Sequence, residues 1–220
     1  MQAIWMGESW FALSIPNTLL MRTAMACDNS GVADDSSLRH VLVVGGSLDQ
    51  WKSMTASDWS QYISTLRSSA EQVGAQWLTV YPYSGISSLK DDGELIRKIS
   101  ESCGAVLADR KLILRGDTSV VIDVCADGQQ RFVRAVNELS TEKISEKDLA
   151  SAILHPASSE PDLVVIFGDP TQLPPSLVWE LAYSELVYLN TQWPHCNIED
   201  IELAINDFQR RDRRFGGVDS

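Results

Sequence analysis

Short apolar runs alternate along this chain with longer segments whose apolar residues recur on one helical face. The runs are continuous rather than alternating, which is typical of strands buried on both faces of a parallel sheet. The predicted strands are residues 41–44, 77–81, 111–114, 120–125, 162–167 and 186–188. The predicted helices are residues 56–73, 94–107, 129–139, 146–153 and 176–184, with a last helix that begins at Asn197. The pattern predicts an α/β fold with a central, mostly parallel sheet of about six strands flanked by helices.

Polar residues mark several of the predicted element boundaries. Thr55 and Asp58 have the spacing of a helix capping box, and Asp200 follows Asn197 by three residues at the start of the last helix. Gly116-Asp117 predicts a tight turn between the third and fourth strands. These signals agree with the apolar pattern.

The chain divides into an N-terminal extension, residues 1–39, and one domain, residues 40–220. The extension ends in a polar run with linker composition, residues 28–37. Two interpretations stay open. The extension is a partly disordered tail, or it forms a short helix that covers an apolar groove with Trp5, Trp10, Phe11 and Leu13.

Composition and charge restrict the class of protein. The 220 residues are 44% hydrophobic, enough for a sizeable core, and their formal net charge is −12. That charge argues against broad nucleic-acid binding, which needs a dense positive surface. Four cysteines without metal-site spacing predict free thiols in a reducing cytoplasm. The apolar N-terminal stretches are interrupted by polar residues, so we expect neither a signal peptide nor a membrane span.

Gly45-Gly46-Ser47 follows the first predicted strand, a place where glycine turns can hold phosphate. The next predicted helix begins about ten residues later, and neither common phosphate-loop motif is present. A plain turn is the better interpretation. The three histidines lie far apart without a recognisable nucleophile motif.

Four segments in the second half of the chain closely resemble the cis-prenyltransferase family, which includes undecaprenyl and dehydrodolichyl diphosphate synthases. They are Pro161-Asp162-Leu163-Val164-Val165, residues 177–186, Trp193-Pro194 and Arg213-Arg214-Phe215-Gly216-Gly217. The resemblance extends back to about residue 40. It implies a dimer with a central parallel sheet. It also implies magnesium-dependent addition of isopentenyl diphosphate to an allylic diphosphate.

Several family motifs are altered here. In the family the first strand ends in Asp-Gly-Asn-x-Arg-Trp, whose aspartate serves the metal and the allylic diphosphate. Gly46 stands at the aspartate position, Gln50 at the arginine position, and Asp49 offers a rescue only by another loop path. The pattern Arg-Thr-Ser-Gly-Glu-x-Arg-x-Ser loses its arginines to Ile166 and Gln172.

The Asn-Tyr-Gly-Gly-Arg segment of the family is likewise reduced, to Cys125-Ala126-Asp127-Gly128-Gln129. Since arginine–phosphate bonds contribute about 1.5–3 kcal/mol each, losing several of them predicts a dead site.

The C-terminal Arg-x-Gly motif is retained. The resemblance implies that Arg213, Arg214 and Gly216 bind isopentenyl diphosphate in the neighbouring subunit's site. An alternative is a solvated basic helix end. Glu185 matches a family glutamate near the magnesium, although a surface or interface carboxylate is an equal interpretation. The stretch Tyr81-Pro82-Tyr83-Ser84-Gly85-Ile86 resembles the Nogo-B receptor type, the non-catalytic subunits of heteromeric cis-prenyltransferases.

The sequence therefore predicts a cytoplasmic pseudoenzyme, the non-catalytic subunit of a heteromeric cis-prenyltransferase. Its partner is a catalytic subunit, in a heterodimer or larger assembly, with a pairing face near residues 176–190. The expected ligands are isoprenoid diphosphates and Mg²⁺, the metal bound mainly by the partner, with peripheral membrane contact only through the product. One alternative is a divergent but active homodimeric enzyme. Another keeps the fold for binding alone, as a polyprenyl phosphate carrier or scaffold.

Overall fold

Eight strands share one sheet in the computed structural model, which describes residues 20–21, 38–86, 89–139, 143–182, 184–191, 193 and 197–215. The strands are β1 (Leu20–Met21), β2 (His40–Gly45), β3 (Trp77–Tyr81), β4 (Val106–Ala108), β5 (Lys111–Leu114), β6 (Ser119–Ile122), β7 (Leu163–Phe167) and β8 (Glu185–Leu189). Their order is β1-β8-β7-β2-β3-β6-β5-β4.

The five central strands run parallel, and antiparallel pairs occur only toward the two edges. β8, β7, β2, β3 and β6 form the parallel part, β1 pairs antiparallel with β8, and β4, β5 and β6 form an antiparallel meander. Every residue of β2 and β7 is buried, as expected for strands covered on both faces. The predicted mostly parallel sheet is confirmed. The two strands that sequence reasoning missed, β1 and β4, are only two and three residues long.

Six helices flank the sheet in the described residues. They are α1 (Leu48–Ser53), α2 (Ala56–Gln72), α3 (Leu89–Cys103), α4 (Gly128–Glu138), α5 (Glu146–Leu154) and α6 (Ile198–Phe215). The predicted caps form, since the Thr55 and Asp58 side chains bond each other's backbone N–H groups, as do those of Asn197 and Asp200. The predicted helix at 94–107 lies earlier, as α3.

The predicted helix at 176–184 is wrong, because the described part of this segment forms turns. The Leu177 N–H donates to the Pro174 carbonyl at 3.0 Å. The Gly128 N–H, at the start of α4, donates to the Pro175 carbonyl at 2.9 Å. The Pro175 carbonyl, which would accept a hydrogen bond from the next turn if a helix began here, instead accepts from α4. Contacts between elements therefore override the apolar spacing here.

The two faces of the sheet carry separate apolar cores. Val41 and Val43 of β2 point into the larger core, with Trp51, Trp59 and residues of α2, α3 and α6. Leu42 and Val44 point into the smaller core on the opposite face. Successive side chains of one strand thus serve opposite faces, as strand geometry requires.

The amino ends of the central strands are joined by a buried polar network around His40. The Asp162 carboxylate accepts hydrogen bonds from the backbone N–H groups of Arg39 and His40, at 2.7 and 2.8 Å. The His40 ring contacts the Ser159 carbonyl at 2.7 Å and the Thr79 hydroxyl at 2.8 Å. Burial lowers the pKa of His40 to about 4, the Ser159 bond opposing this only in part. The ring is therefore neutral at pH 7.

Two residues of the predicted N-terminal extension take part in the sheet, since Leu20 and Met21 pair with β8. The segment with Trp5, Trp10, Phe11 and Leu13 lies outside the described residues, so its predicted order or helix stays a prediction. No helix within the described ranges has the length and apolar character needed to cross a membrane.

Candidate functional site

A cavity of about 990 Å³ opens at the carboxyl ends of β2, β3, β7 and β8. In open parallel sheets, ligands bind outside the carboxyl ends of the strands. Its lining comes from the last residues of these strands and from the segments that follow them: Gly46, Ser47, Gln50, Tyr83, Ser84, Phe167, Gly168, Asp169, Pro170, Thr171, Gln172, Tyr188, Leu189, Asn190, Thr191 and Trp193. We call this the carboxyl-end cavity.

The turn after β2 passes directly into helix α1, which sequence reasoning missed. Gly46 has a positive φ of 68°, and Ser47 caps the helix while Gln50 returns a bond to the Ser47 N–H. The expectation that the next helix begins about ten residues later is therefore wrong. The Ser47-x-x-Gln50 spacing is itself a capping box and could have indicated α1. This helix has only six residues, too few to show an apolar period.

Four aromatic rings pack together beside this turn. The Trp193 ring is stacked on Trp51, with centroids 5.8 Å apart and planes 19° apart. It also contacts Tyr62 at 4.1 Å and Phe167 at 6.2 Å between centroids. Only 4% of Trp193 is exposed. This packing forms one wall of the carboxyl-end cavity.

The lining of the carboxyl-end cavity carries no arginine, lysine or histidine among the residues that the structure describes. Its single described carboxylate, Asp169, accepts bonds from the Thr171 hydroxyl and N–H at 2.7 and 2.8 Å. Those two bonds lower the pKa of Asp169, which is ionised at pH 7. Burial and, secondarily, this carboxylate raise the pKa of Tyr83. The cavity is consequently neutral to acidic and presents amides, hydroxyls and aromatic rings.

The structure brings together three of the altered family positions. Gly46, Gln50 and Gln172 all line the carboxyl-end cavity, although Gln50 and Gln172 are far apart in sequence. Ile166 lies inside β7 and is fully buried, so its side chain belongs to the smaller core. Of the three altered positions that line the cavity, two therefore present neutral amides in place of arginine, and the third presents a glycine in place of aspartate.

The residues present do not fit the magnesium ion that the resemblance implies. Gly46 supplies no ligand, and a Cβ at this position would lie 2.7 Å from the Cγ and Nε1 atoms of Trp193. Asp49 is exposed on α1 and does not line the carboxyl-end cavity. Over the described ranges, no three histidine, cysteine, aspartate or glutamate side chains gather in a way that could hold a metal.

Glu185, the predicted metal ligand, begins β8, whereas the cavity lies beyond Leu189 at the other end of that strand. Four residues of a strand span about 13 Å. Within this chain Glu185 therefore does not reach the cavity, and its role at a metal stays a prediction.

The predicted C-terminal motif crosses the limit of what the structure describes. Arg213 and Arg214 belong to the last turn of α6, and Gly216 lies outside the described residues. Arg210, on the preceding turn, is exposed. The binding role of Arg213, Arg214 and Gly216 thus stays a prediction.

Sequence reasoning did not find a second group of polar residues at the same end of the sheet. Arg131 of α4 is 2% exposed, and its guanidinium lies 3.8 Å from the centroid of the Tyr81 ring. It donates to the carbonyls of Cys125, at 2.5 Å, and Ser176, and lies 3.8 Å from the Glu180 carboxylate. We call these five residues the Arg131 cluster.

The charges of the Arg131 cluster are matched within the protein. Burial alone would lower the pKa of Arg131, but the negative charges of Glu180 and Asp123 oppose this, so the guanidinium stays charged. Burial and then Glu180 raise the pKa of Tyr81 well above 10, which keeps the phenol neutral. The cluster therefore stabilises the segment that carries Ser176 and Glu180. That segment connects β7 to β8, and its first part supplies residues 169–172 to the carboxyl-end cavity.

Comparison with known proteins identifies the class of protein. The family model described as "Putative undecaprenyl diphosphate synthase" matches residues 91–216. The chain belongs to this family, the cis-prenyltransferases, as the sequence resemblance predicted.

Curated relatives extend the match beyond those residues. An "Isoprenyl transferase" of Clostridium acetobutylicum is 26% identical over 216 residues, which cover 90% of this chain and 78% of the relative. An "Isoprenyl transferase" of Clostridium perfringens is 33% identical over 129 residues, 56% of this chain and 47% of the relative. The share of a relative's length that is matched thus varies from less than half to more than three quarters.

Solved structures are similar in fold. Lavandulyl diphosphate synthase from Lavandula x intermedia, solved with dimethylallyl diphosphate, has a TM-score of 0.57 at 15% identity. That match covers 80% of this chain and 97% of the synthase. A "probable undecaprenyl diphosphate synthase" from Campylobacter jejuni has a TM-score of 0.55 at 16% identity, over 82% and 99%. At these identities the likeness shows the fold, which is the predicted one.

Proposed function

We propose that this chain is the non-catalytic subunit of a heteromeric cis-prenyltransferase and that the working site lies on a catalytic partner. The observation that carries the proposal is the lining of the carboxyl-end cavity, which has no cation among its described residues. A site for two diphosphates needs a cluster of positive groups, because the transition state is reached only when both polyanions are held and neutralised.

The energetic deficit is large. Charge-assisted bonds from arginine to phosphate contribute about 1.5–3 kcal/mol each, and a glutamine at the same position offers neither the charge nor the bidentate geometry. Gln50 and Gln172 both line the cavity. Asp169 adds a negative charge to the lining. Two missing arginines and one unfavourable carboxylate are enough to weaken diphosphate binding by several orders of magnitude.

The C-terminal segment supports a role in a partner's site. Four arginines, Arg210, Arg211, Arg213 and Arg214, are concentrated before Gly216 in a chain whose formal net charge is −12. In this proposal Arg213, Arg214 and Gly216 help to bind isopentenyl diphosphate on the catalytic subunit, which holds most of the Mg²⁺ coordination. The complex works in the cytoplasm and touches membranes only through its product.

A second candidate function is an active isoprenyl transferase that works as a homodimer. The curated relatives favour it over the first candidate, because they carry that name and one of them aligns with 90% of this chain. An active enzyme would have to recruit cations to the carboxyl-end cavity from a second copy of the chain or from residues outside the described ranges. The composition of the cavity favours the first candidate, and activity measurements separate the two.

The test compares the chain alone with the chain co-expressed with a candidate catalytic subunit from the same source. Magnesium-dependent incorporation of labelled isopentenyl diphosphate is measured in both, with Arg214→Ala in this chain and Arg97→Ala as the matched surface control. We expect turnover only in the pair, lost with Arg214→Ala while the complex persists, and unchanged with Arg97→Ala. Turnover by the chain alone would overturn the proposal and establish the second candidate.

A further inference from the structure

We propose that the carboxyl-end cavity binds a small organic cation, whose charge lies beside Asp169 and whose apolar groups pack against the ring of Tyr83. This inference goes beyond the proposed function, because it assigns a ligand to the cavity of this chain instead of a role in a partner's site. It depends on the charge and lining of the cavity alone. Its test needs neither turnover nor a partner subunit.

Asp169 supplies a negative charge that has no counterion in the described part of the cavity lining. Its Oδ1 atom accepts two hydrogen bonds from Thr171, from the N–H at 2.8 Å and from the hydroxyl at 2.7 Å. Its Oδ2 atom accepts none from the described residues. No arginine, lysine or histidine is among the described lining residues. A ligand cation is therefore attracted to this carboxylate, and an anion is repelled by it.

Tyr83 supplies an aromatic surface next to this carboxylate. The Tyr83 ring packs directly on Gly168, where a Cβ would lie 2.7 Å from the Cε2 atom of the ring. The Tyr83 hydroxyl donates to the Gln172 carbonyl at 3.2 Å, so both the ring and its hydroxyl are held in place. The Tyr83 side chain is only partly buried. Since aromatic faces attract cations, this ring and the charge of Asp169 favour the same kind of ligand.

The rest of the described lining adds no charge that opposes a cation. The Tyr188 hydroxyl lies 3.5 Å from the Gln172 carbonyl that also accepts from Tyr83. Burial and then Tyr83 raise the pKa of Tyr188, so this phenol is neutral at pH 7. The other polar lining residues carry neutral hydroxyls and amides: Ser47, Gln50, Ser84, Thr171, Gln172, Asn190 and Thr191. The cavity therefore favours a cation over an anion.

A metal ion fits this lining less well than an organic cation. Asp169 is the single carboxylate among the described lining residues, whereas Mg²⁺ and Ca²⁺ take about six to eight oxygen ligands. An ammonium ion with apolar substituents needs fewer polar partners, and its substituents pack against aromatic rings. Choline, a quaternary ammonium alcohol, is therefore the probe of choice.

The first experiment is titration calorimetry of the full chain with choline and, separately, with neohexanol. Neohexanol has the shape of choline, but a carbon atom replaces the charged nitrogen, so the pair isolates the contribution of charge. We expect saturable binding of choline that is at least about tenfold tighter than binding of neohexanol. Raising NaCl from about 50 to about 500 mM should weaken only choline binding, because salt screens the carboxylate.

Substitutions at Asp169 test the position of the charge. Asp169→Asn removes the charge, keeps an oxygen that accepts from Thr171, and should weaken choline binding at least about fivefold. Asp117→Asn removes the same charge at an exposed position just before β6, at the other end of the sheet, and should change the affinity by less than about twofold.

Substitutions at Tyr83 test the role of the ring. Tyr83→Leu should weaken choline binding at least about threefold, whereas Tyr83→Phe keeps the ring and should retain the binding. Far-UV circular dichroism checks that each variant is folded. Asp169→Asn, at an exposed position, tests the inference even where a Tyr83 variant does not fold.

A cation added to the lining should act in the opposite direction to a bound ligand. The Gln172 N–H donates to the Asp169 carbonyl at 3.1 Å, so the two residues belong to one turn. Gln172→Arg places a guanidinium near Asp169 and should weaken choline binding at least about fivefold. Gln61→Arg adds the same charge at an exposed position on α2 and should change the affinity by less than about twofold.

Three results would overturn the inference. They are equal affinities for choline and neohexanol, no measurable choline binding up to about 20 mM, and equal effects of Asp169→Asn and Asp117→Asn. Neither probe carries a phosphate group, and no partner subunit is present in these titrations. Failure here and failure of the proposed function are therefore distinguishable.

Discussion

The carboxyl-end cavity and the Arg131 cluster lie side by side at the same end of the sheet, yet they treat charge in opposite ways. The cavity is open, and no cation lines it among the described residues. The Arg131 cluster is closed, and it places an arginine and a glutamate, each with a side chain no more than 2% exposed, against Tyr81. Among the described residues, the first region offers a surface without positive charge, and the second holds a guanidinium that is 2% exposed.

This difference shows where the charges near the candidate site are used. Arg131 donates to the carbonyls of Cys125 and Ser176. Arg134 pairs with the buried Asp123 at 3.3 Å. These contacts stabilise the loops that follow β6 and β7. Arg131 and Arg134 therefore stabilise the protein. The described lining of the carboxyl-end cavity lacks the cations that a diphosphate-binding site needs.

The largest expected effect comes from breaking the Arg131 cluster. Arg131→Met leaves the Glu180 carboxylate buried without its partner, which should lower the free energy of unfolding by about 3–5 kcal/mol. Urea denaturation measures it. Arg97→Met is the control, because the Arg97–Glu101 pair is exposed on α3 and should cost about 0–1 kcal/mol. A loss below about 1 kcal/mol for Arg131→Met would mean that the cluster is not the structural element described here.

His40 is buried and neutral, so its contribution to stability should depend on pH. The pKa of His40 is about 4 in the folded chain and 6.5 when unfolded, so below pH 6.5 the unfolded chain binds the extra proton. The contribution of His40 to the free energy of unfolding is therefore fully present above pH 6.5 and is lost as the pH falls toward 4. At 1.36 kcal/mol for each pH unit, the loss is about 3 kcal/mol.

His40→Gln removes this titration, so the variant should lose about 3 kcal/mol less than the wild type between pH 6.5 and pH 4. Denaturant unfolding at the two pH values measures the difference, in which the titration of the carboxylates common to both chains cancels. His155→Gln, at an exposed histidine, controls for loss of a histidine. Equal pH dependence in the His40→Gln and wild-type chains would contradict the buried neutral histidine.

A smaller effect should follow from adding cations to the carboxyl-end cavity. Gln50→Arg and Gln172→Arg each place a guanidinium in its lining and should each raise the affinity for inorganic pyrophosphate at least about tenfold. Titration calorimetry measures it. Gln61→Arg adds the same charge at an exposed position on α2 and should change the affinity by less than about threefold. No gain from either cavity variant would show that missing cations are not the cause of weak binding.

The apolar pattern predicted most of the fold because the central strands are buried on both faces and therefore form continuous runs of apolar residues in the sequence. It missed α1, whose six residues are too few for a helical period, although the Ser47 and Gln50 cap was visible. It predicted a helix at 176–184 because Leu177 and Leu181 have helical spacing. The contact of Gly128 with the Pro175 carbonyl, which sequence does not reveal, holds that segment in turns.

The candidate site was predictable in part. The family motifs located Gly46, Gln50 and Gln172, and parallel topology brings the ends of β2 and β7 together. The position of the Trp193 ring beside Gly46 depends on packing against three other aromatic residues from distant segments. No local pattern contains that information. The burial of Arg131 is a similar case, because a lone arginine on a helix is more often exposed.

The most direct test of the central claim is titration calorimetry of the isolated chain with isopentenyl diphosphate and, separately, an allylic diphosphate, both with Mg²⁺ present. If the carboxyl-end cavity lacks the cations that a diphosphate needs, neither titration should give measurable binding up to about 1 mM ligand. Saturable binding with a Kd near about 1 μM would contradict the account, because it would show that this chain completes a diphosphate site by itself.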